Sequence, residues 1–213
     1  SSDKSYASSN ALSNEASAQQ AEVVHWDVRQ LHKKYIVFNS SDGLTIIDQH
    51  AAHERILYEK FRTRLIKDQK TSQQLLFPQT LQLPSGDLSL VKELQGEFES
   101  LGFAIKFFGN TTVIIDGVPP EIKAGTEGVI LQDVLSLYKD ERQEITMKPS
   151  ERLAKSLACK AAVKAGDLLS MDEMTSLLDQ LSSTSIPTVC PHGRPVSIKL
   201  TIEELDRRFG RTS

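Results

Sequence analysis

Tyr35-Ile36-Val37-Phe38-Asn39-Ser40-Ser41-Asp42-Gly43-Leu44-Thr45-Ile46-Ile47-Asp48-Gln49-His50-Ala51-Ala52-His53-Glu54 changes its hydrophobic rhythm part-way along, and that change decides the fold class. Tyr35 to Phe38 is a short apolar run, Asn39 to Gly43 punctuates a turn, and Leu44 to Asp48 is a second β-rich run. Two such runs around a glycine-containing turn predict a hairpin. From Gln49 to about Leu65 the apolar members Ala51, Ala52, Ile56, Leu57, Tyr58 and Phe61 recur at helical spacing, so a helix follows the second strand directly.

Further along, Leu75 to Leu83 reads as a strand broken by Pro84-Ser85-Gly86. Asp87 is a suitable N-cap for a helix running through Leu101, which Gly102 stops. Phe103–Phe108 and Thr111–Val118 make a hairpin around Gly109-Asn110, and a helix from about Gly128 to Lys139 follows. That order of elements is an α+β unit. In the last third, Pro149 suits a first helical turn, and the helix is expected to run to about Ala165, closed by Gly166. Ser170 with Glu173 and Thr201 with Glu204 read as capping boxes for two more helices. Between them, residues 182–195 form a loop with three prolines and one glycine.

Upstream, residues 1–22 are rich in Ser, Ala, Asn and Gln without apolar periodicity, which predicts a linker and a chain cut from something longer. With 213 residues, 39% of them hydrophobic, there is enough apolar material for a real core. No apolar run approaches the roughly 20 residues that span a bilayer, and no secretory signal opens the chain, so a cytoplasmic protein is expected. The net charge of −3 argues against tight DNA binding by this chain alone, because such affinity comes largely from cations that release counterions from phosphates. A DNA substrate would have to be delivered by something else.

The chemistry concentrates in three places. Asp48 ends an apolar strand, and His50 and Glu54 lie four apart on the helix behind it, so imidazole and carboxylate share one face. They could hold a divalent cation, with His53 as a competitor, although such a pair is also a common solvated one. Cys190-Pro191-His192-Gly193-Arg194-Pro195 sets a thiol and an imidazole two apart, on one side of an extended segment stiffened by proline. Sulfur and nitrogen together suit zinc or another borderline metal. Ala158-Cys159-Lys160 sits in a helix, where a cysteine among alanines is ordinarily core. Lys160 and Lys164 form a short basic stripe on that helix, able to meet DNA phosphates if it borders the site.

Together these segments resemble the MutL family of mismatch-repair proteins, in the subset whose C-terminal domain is an endonuclease. The family signature Asp-Gln-His-Ala, two residues, Glu, four residues, Glu is met from Asp48 to Glu59. Its Ala-Cys-Lys helix motif is met at Ala158 to Lys160, and its Cys-Pro-His-Gly-Arg-Pro loop at Cys190 to Pro195. The resemblance covers about Val23 to the C-terminus.

It implies an α+β fold with a dimerisation subdomain built from both chain ends, 23–74 and 145–213, around an inserted regulatory subdomain, 75–144. It implies that Asp48, His50, Glu54, Cys159, Cys190 and His192 line one metal site, with zinc structural or regulatory and manganese supporting nicking. Asp48, His50 and Glu54 are the expected catalytic residues. Arg194 would contact the scissile phosphate. Glu59, about 140° around the helix from Glu54, is assigned a supporting salt bridge. Gln73, Leu76 and Pro78 fit the peptide with which bacterial members bind the DNA sliding clamp, although the same stretch also reads simply as a strand ended by proline. A homodimer, double-stranded DNA and a MutS-type mismatch-recognition protein are the other implied partners, in a cytoplasmic, nucleoid-associated setting. Two other readings of the residues remain: a dimerisation module with a structural zinc site, and a metallohydrolase of amides or small molecules.

Overall fold

In the computed structural model, which describes residues 27–140 and 147–211, the opening hairpin forms as its pattern predicts. The expected linker 1–22 and the boundary near Glu144 lie outside the described residues. Strands β2 (Tyr35–Ser40) and β3 (Gly43–Asp48) pair antiparallel, with Ser40 opposite Gly43 across the turn. Two strands beyond the expected hairpin flank them. β1 (Val28–Leu31) pairs with β2 and β7 (Ser197–Thr201) with β3, giving the order β1-β2-β3-β7. Val28-Arg29-Gln30-Leu31 is too short and irregular for alternation to register, whereas Ser197-Ile198-Lys199-Leu200-Thr201 does alternate and its signal was passed over; both are strands because a hydrogen-bonding edge waits for them. Gly43 makes room for the last one. A Cβ there would lie 2.1 Å from the Leu200 carbonyl oxygen, so a side chain would push β7 off the sheet.

β3 runs straight into α1 (Gln49–Lys67). Asp48 caps it, its Oδ1 accepting from the backbone N–H groups of His50 and Ala51 at 2.9 and 3.0 Å. The helix lies between two cores. Ala51, Ala52 and Ile56 face one of them, shared with Val28, Ile36 and Ile47 and with Leu177 and Leu181 of α6 (Met171–Ser182). Leu57 and Phe61 face the other. A helix buried on so many sides carries polar residues inside as well, here Gln49, Glu54 and Arg55.

The second core belongs to β4 (Gln73–Gln82), α2 (Ser85–Glu93), α3 (Gln95–Leu101), β5 (Ala104–Phe108), β6 (Thr112–Val118) and α4 (Glu127–Asp140). Their strands form an antiparallel sheet in the order β4-β6-β5. The single helix expected from Asp87 to Leu101 is two. It starts behind Pro84, which leaves Asp87 in the first turn rather than at the cap, and it breaks at Leu94. Leu94 is buried, and the break turns Phe98 and Leu101 onto the same core that Leu88 and Val91 meet.

α5 (Pro149–Ala161) packs along α1 and sends Leu153, Ala154, Leu157 and Ala158 into this core. α6 opens with the expected capping box at Ser170 and Glu173. α7 (Ile202–Arg208) is capped by Thr201, which accepts from the Glu204 N–H, but the Glu204 carboxylate binds Arg208 at 2.7 Å instead of closing the box. Mixed helices and antiparallel sheets make the fold α+β.

Candidate metal centre

The site is assembled by α1 gripping the proline-rich loop. Arg55, buried despite its charge, donates from Nε to the Val189 carbonyl at 2.6 Å. Glu59 lies 3.8 Å from Arg55 and accepts from the Ser185 N–H and hydroxyl at 2.9 and 2.8 Å, which is the supporting place expected of it. The loop is not extended where its two ligand types sit. Cys190-Pro191-His192-Gly193 is a β-turn closed by Gly193 N–H to the Cys190 carbonyl at 2.9 Å, with proline where its fixed φ favours such a turn. The Cys190 N–H donates to the Arg194 carbonyl at 2.9 Å, Val189 bridges Pro195, and the Val196 carbonyl accepts from the Asp48 N–H at 2.9 Å. The turn, rather than strand alternation, therefore brings Cys190 and His192 round to α1.

Glu54 meets them there, 0% exposed. One ligand atom each from Glu54, Cys190 and His192 lies within 4.8 Å of the others. Arg194 donates to Oε2 of Glu54 at 3.0 Å. His192 Nδ1 comes to 2.5 Å from Oε1, yet this buried oxygen has no hydrogen bond of proper geometry. A buried carboxylate facing a thiol and an imidazole is the donor set a borderline cation takes, and the residues fit one. Burial raises the Glu54 pKa, but contacts with His192 and Cys190 and the Arg194 charge outweigh it and hold the carboxyl below its ordinary value. Cys159 looks onto the same carboxylate from α5. Burial first, then the Glu54 charge, push its thiol up to about 11.

Not every residue expected at this centre joins that tight group. Asp48 has its Oδ1 committed to the helix cap, and His50 Nδ1 lies 2.9 Å from the Val163 carbonyl. A carbonyl only accepts, so Nδ1 carries a proton, which in the neutral ring leaves Nε2 its lone pair, the arrangement in which histidines bind metals. His53 does not compete. Its Nδ1 accepts from the Val163 N–H at 3.0 Å.

These two histidines also end α5 before the expected Ala165. Val163 gives its N–H to His53 and its carbonyl to His50, and Gln49 takes the Lys164 carbonyl, so side chains of α1 replace the bonds a longer helix would need. Lys164 is consequently on the following loop, and the basic stripe expected with Lys160 along one helix does not form.

Burial, helped by the charges of Lys60 and His50, lowers the His53 pKa from 6.5 to about 4. An unfolded chain binds this proton below pH 6.5 and the folded one only near 4, so stability is full above 6.5 and is lost as pH falls toward 4. The loss is on the order of 2–3 kcal/mol. Urea denaturation across that window should show it, and His53→Gln, which keeps an acceptor but cannot titrate, should flatten it. An unchanged slope in the variant would assign the effect elsewhere.

Asp48, His50, Lys34, Tyr35, Lys164, Ala165 and Arg194 line a cleft of about 330 Å³ beside the cluster. Of the residues expected to contact DNA phosphates, Arg194 and Lys164 are on it and Lys160 is not among its lining residues. On β4, pairing with β6 skips from Gln74 to Gln79, so Leu75 to Pro78 bulge out opposite Asp116 alone. Leu76 is 92% and Phe77 87% exposed as a result. Sequence reasoning missed Gln49 and Arg55, although a polar residue at a helix position flanked by buried ones was the available signal.

Fold and site define an α+β domain with a candidate metal centre on the helix that follows a hairpin. The chain belongs to the MutL C-terminal dimerisation domain family, whose model matches residues 28–169. It is 46% identical over 185 residues to the DNA mismatch repair protein MutL of Chloroherpeton thalassium, covering 87% of this chain and 29% of that protein. The MutL of Chlorobium limicola is 44% identical over 183 residues, covering 86% and 29%. That of Prosthecochloris aestuarii is 46% identical over 182 residues, covering 85% and 29%. The chain thus spans under a third of the length of these relatives. No helix among the described residues is long and apolar enough to cross a membrane.

Proposed function

We propose that this chain homodimerises and nicks one strand of duplex DNA by metal-dependent phosphodiester hydrolysis, under stimulation by the sliding clamp. The observation that carries the reading is the meeting of Glu54, Cys190 and His192 within 4.8 Å around a fully buried carboxylate. Glu54, His50, Cys159, Cys190 and His192 would hold the metals, zinc in a structural or regulatory place and manganese in the catalytic one. When bound, manganese would supply an acidified water and neutralise charge at the phosphorus.

The chain's own residues do the positioning. With Oδ1 of Asp48 committed to the cap, Oδ2 is the oxygen left to orient the attacking water. The Val163 carbonyl fixes the His50 ring. Arg194, its side chain 56% exposed, reaches from Glu54 toward a phosphate in the cleft. Residues 23–74 and 145–213 would form the dimerisation subdomain and 75–144 the regulatory one. A MutS-type protein would engage the longer protein of which such a domain is part.

Conversion of supercoiled plasmid to open circles with added manganese tests the reading, and a folded, zinc-loaded chain that leaves the plasmid closed refutes it. For the clamp, Gln73, Leu76 and Pro78 are the proposed contacts, supported by the bulge that exposes Leu76. Gln73→Ala is expected to lower clamp-stimulated nicking several-fold and to leave clamp-free nicking unchanged. Equal loss in both assays would remove these residues from the interface.

A further inference from the structure

Gln49 is 0% exposed and uses both ends of its amide. Oε1 accepts from Gln30 at 2.7 Å, while Nε2 lies 3.1, 2.9 and 3.2 Å from the carbonyls of Lys33, Lys164 and Asp167. An amide nitrogen has two hydrogens, so the three carbonyls share them. The backbone adds to the tie, with Gln49 N–H on the Lys34 carbonyl at 3.0 Å and Gly166 N–H on the Lys33 carbonyl at 2.8 Å. Two separate segments, the β1–β2 tip and the loop after α5, are thereby held against one buried side chain.

The tip is a tight turn with a demanding backbone. His32 and Lys33 both have φ of 51°, the left-handed region that a Cβ disfavours. A tight turn between β1 and β2, closed by Lys34 N–H on the Leu31 carbonyl at 3.1 Å, requires positive φ at both central residues, and Gln49 holds the carbonyl of the second. Lys34 and Lys164 are thereby set on one cleft with Asp48, His50 and Arg194. Both lysines are exposed, and neither ammonium has an acidic partner among the described residues. In a chain of net charge −3, two free cations beside the cluster make this cleft the place where a polyanion finds local attraction. The site is open and its cations sit on different segments, which suits successive phosphates of a backbone rather than one small buried anion.

We propose that Gln49 is a positioning residue that holds Lys34 and Lys164 as a two-pronged cradle for duplex-DNA phosphates flanking the one to be cut. The proposal rests on the nicking reading, but its test does not require cleavage. Binding of the full chain to a long fluorescent duplex is followed over a salt series in buffer without manganese. Lys34→Gln/Lys164→Gln is expected to flatten the plot of log affinity against log salt by about 1.8 per protomer engaged, the loss of two phosphate contacts. Lys92→Gln/Lys123→Gln, with the same change in charge on the other core's surface, should leave the slope in place. Gln49→Met, which keeps every lysine, should flatten it as the double variant does, and a folded Gln49→Met with the parental slope overturns the positioning role; if it fails to fold, Gln30→Ala, which removes the donor to Gln49 Oε1, is read in its place. An unchanged slope in Lys34→Gln/Lys164→Gln, or an equal loss in the control pair, overturns the cradle. Nicking by the unaltered chain, measured separately, distinguishes the two failures: a chain that nicks but keeps its slope in the variant sinks only the cradle, whereas a chain that does not nick sinks the nuclease reading.

Discussion

Glu54→Gln is expected to cut manganese-dependent nicking roughly 10³-fold, the scale of removing one preorganised charge from a catalytic centre. The substitution keeps the side chain's volume in a fully buried place and removes the charge on which His192 and Arg194 converge. Arg194 is left with an exit, since its side chain is already 56% exposed. The penalty of an uncompensated buried cation is thereby avoided, and stability should stay within about 2 kcal/mol of the parent. Zinc content should fall with activity, because the carboxylate that meets Cys190 and His192 is gone. The measurement is nicking rate, bound zinc and oligomeric state on the same preparation. A variant that nicks at the parental rate would sink the assignment of Glu54, and one that loses its dimer along with activity would move Glu54 from chemistry to architecture.

Phe61→Ala should cost about 3–5 kcal/mol, read as a shift in the urea midpoint. Phe61 is 0% exposed and stands where α1 enters the second core. The cavity cannot readily collapse. Above the ring, 5.6 Å from its centroid, the Arg64 guanidinium is itself fixed by two hydrogen bonds to Glu121, at 2.8 and 2.6 Å. With domains stable by only about 5–15 kcal/mol, such a loss would leave a visible unfolded fraction at mild urea concentrations. Ile66→Ala, five residues on but 71% exposed, should be nearly silent. A Phe61→Ala loss no larger than the Ile66→Ala one would mean that α1 does not couple the two cores.

What could be read along the chain was local. The β2–β3 hairpin, the Asp48 cap, the Ser170 and Glu173 box, the Pro149 start and the Gly102 stop each depend on residues within a few positions of one another. Local hydrogen bonds and steric preferences act before any tertiary contact exists, so composition and spacing carry them. The identities of Glu54, Cys190 and His192 as candidate ligands were legible in the same way, by residue type. Their separation was not, since a β-turn and the hold of Arg55 on Val189 set it across more than a hundred residues.

Only the tertiary structure decided where α5 stops, because the groups that replace its hydrogen bonds belong to His50, His53 and Gln49 on another helix. It decided that Val28–Leu31 is a strand, since a strand this short is defined by the edge it pairs with. It also decided that Gln49 lies inside, tying hairpin to loop, because the first turns of α1 run between other elements and present no exposed position before Lys60. Sequence fixes what each residue can offer; which offers are taken up depends on what folding brings within about 3 Å.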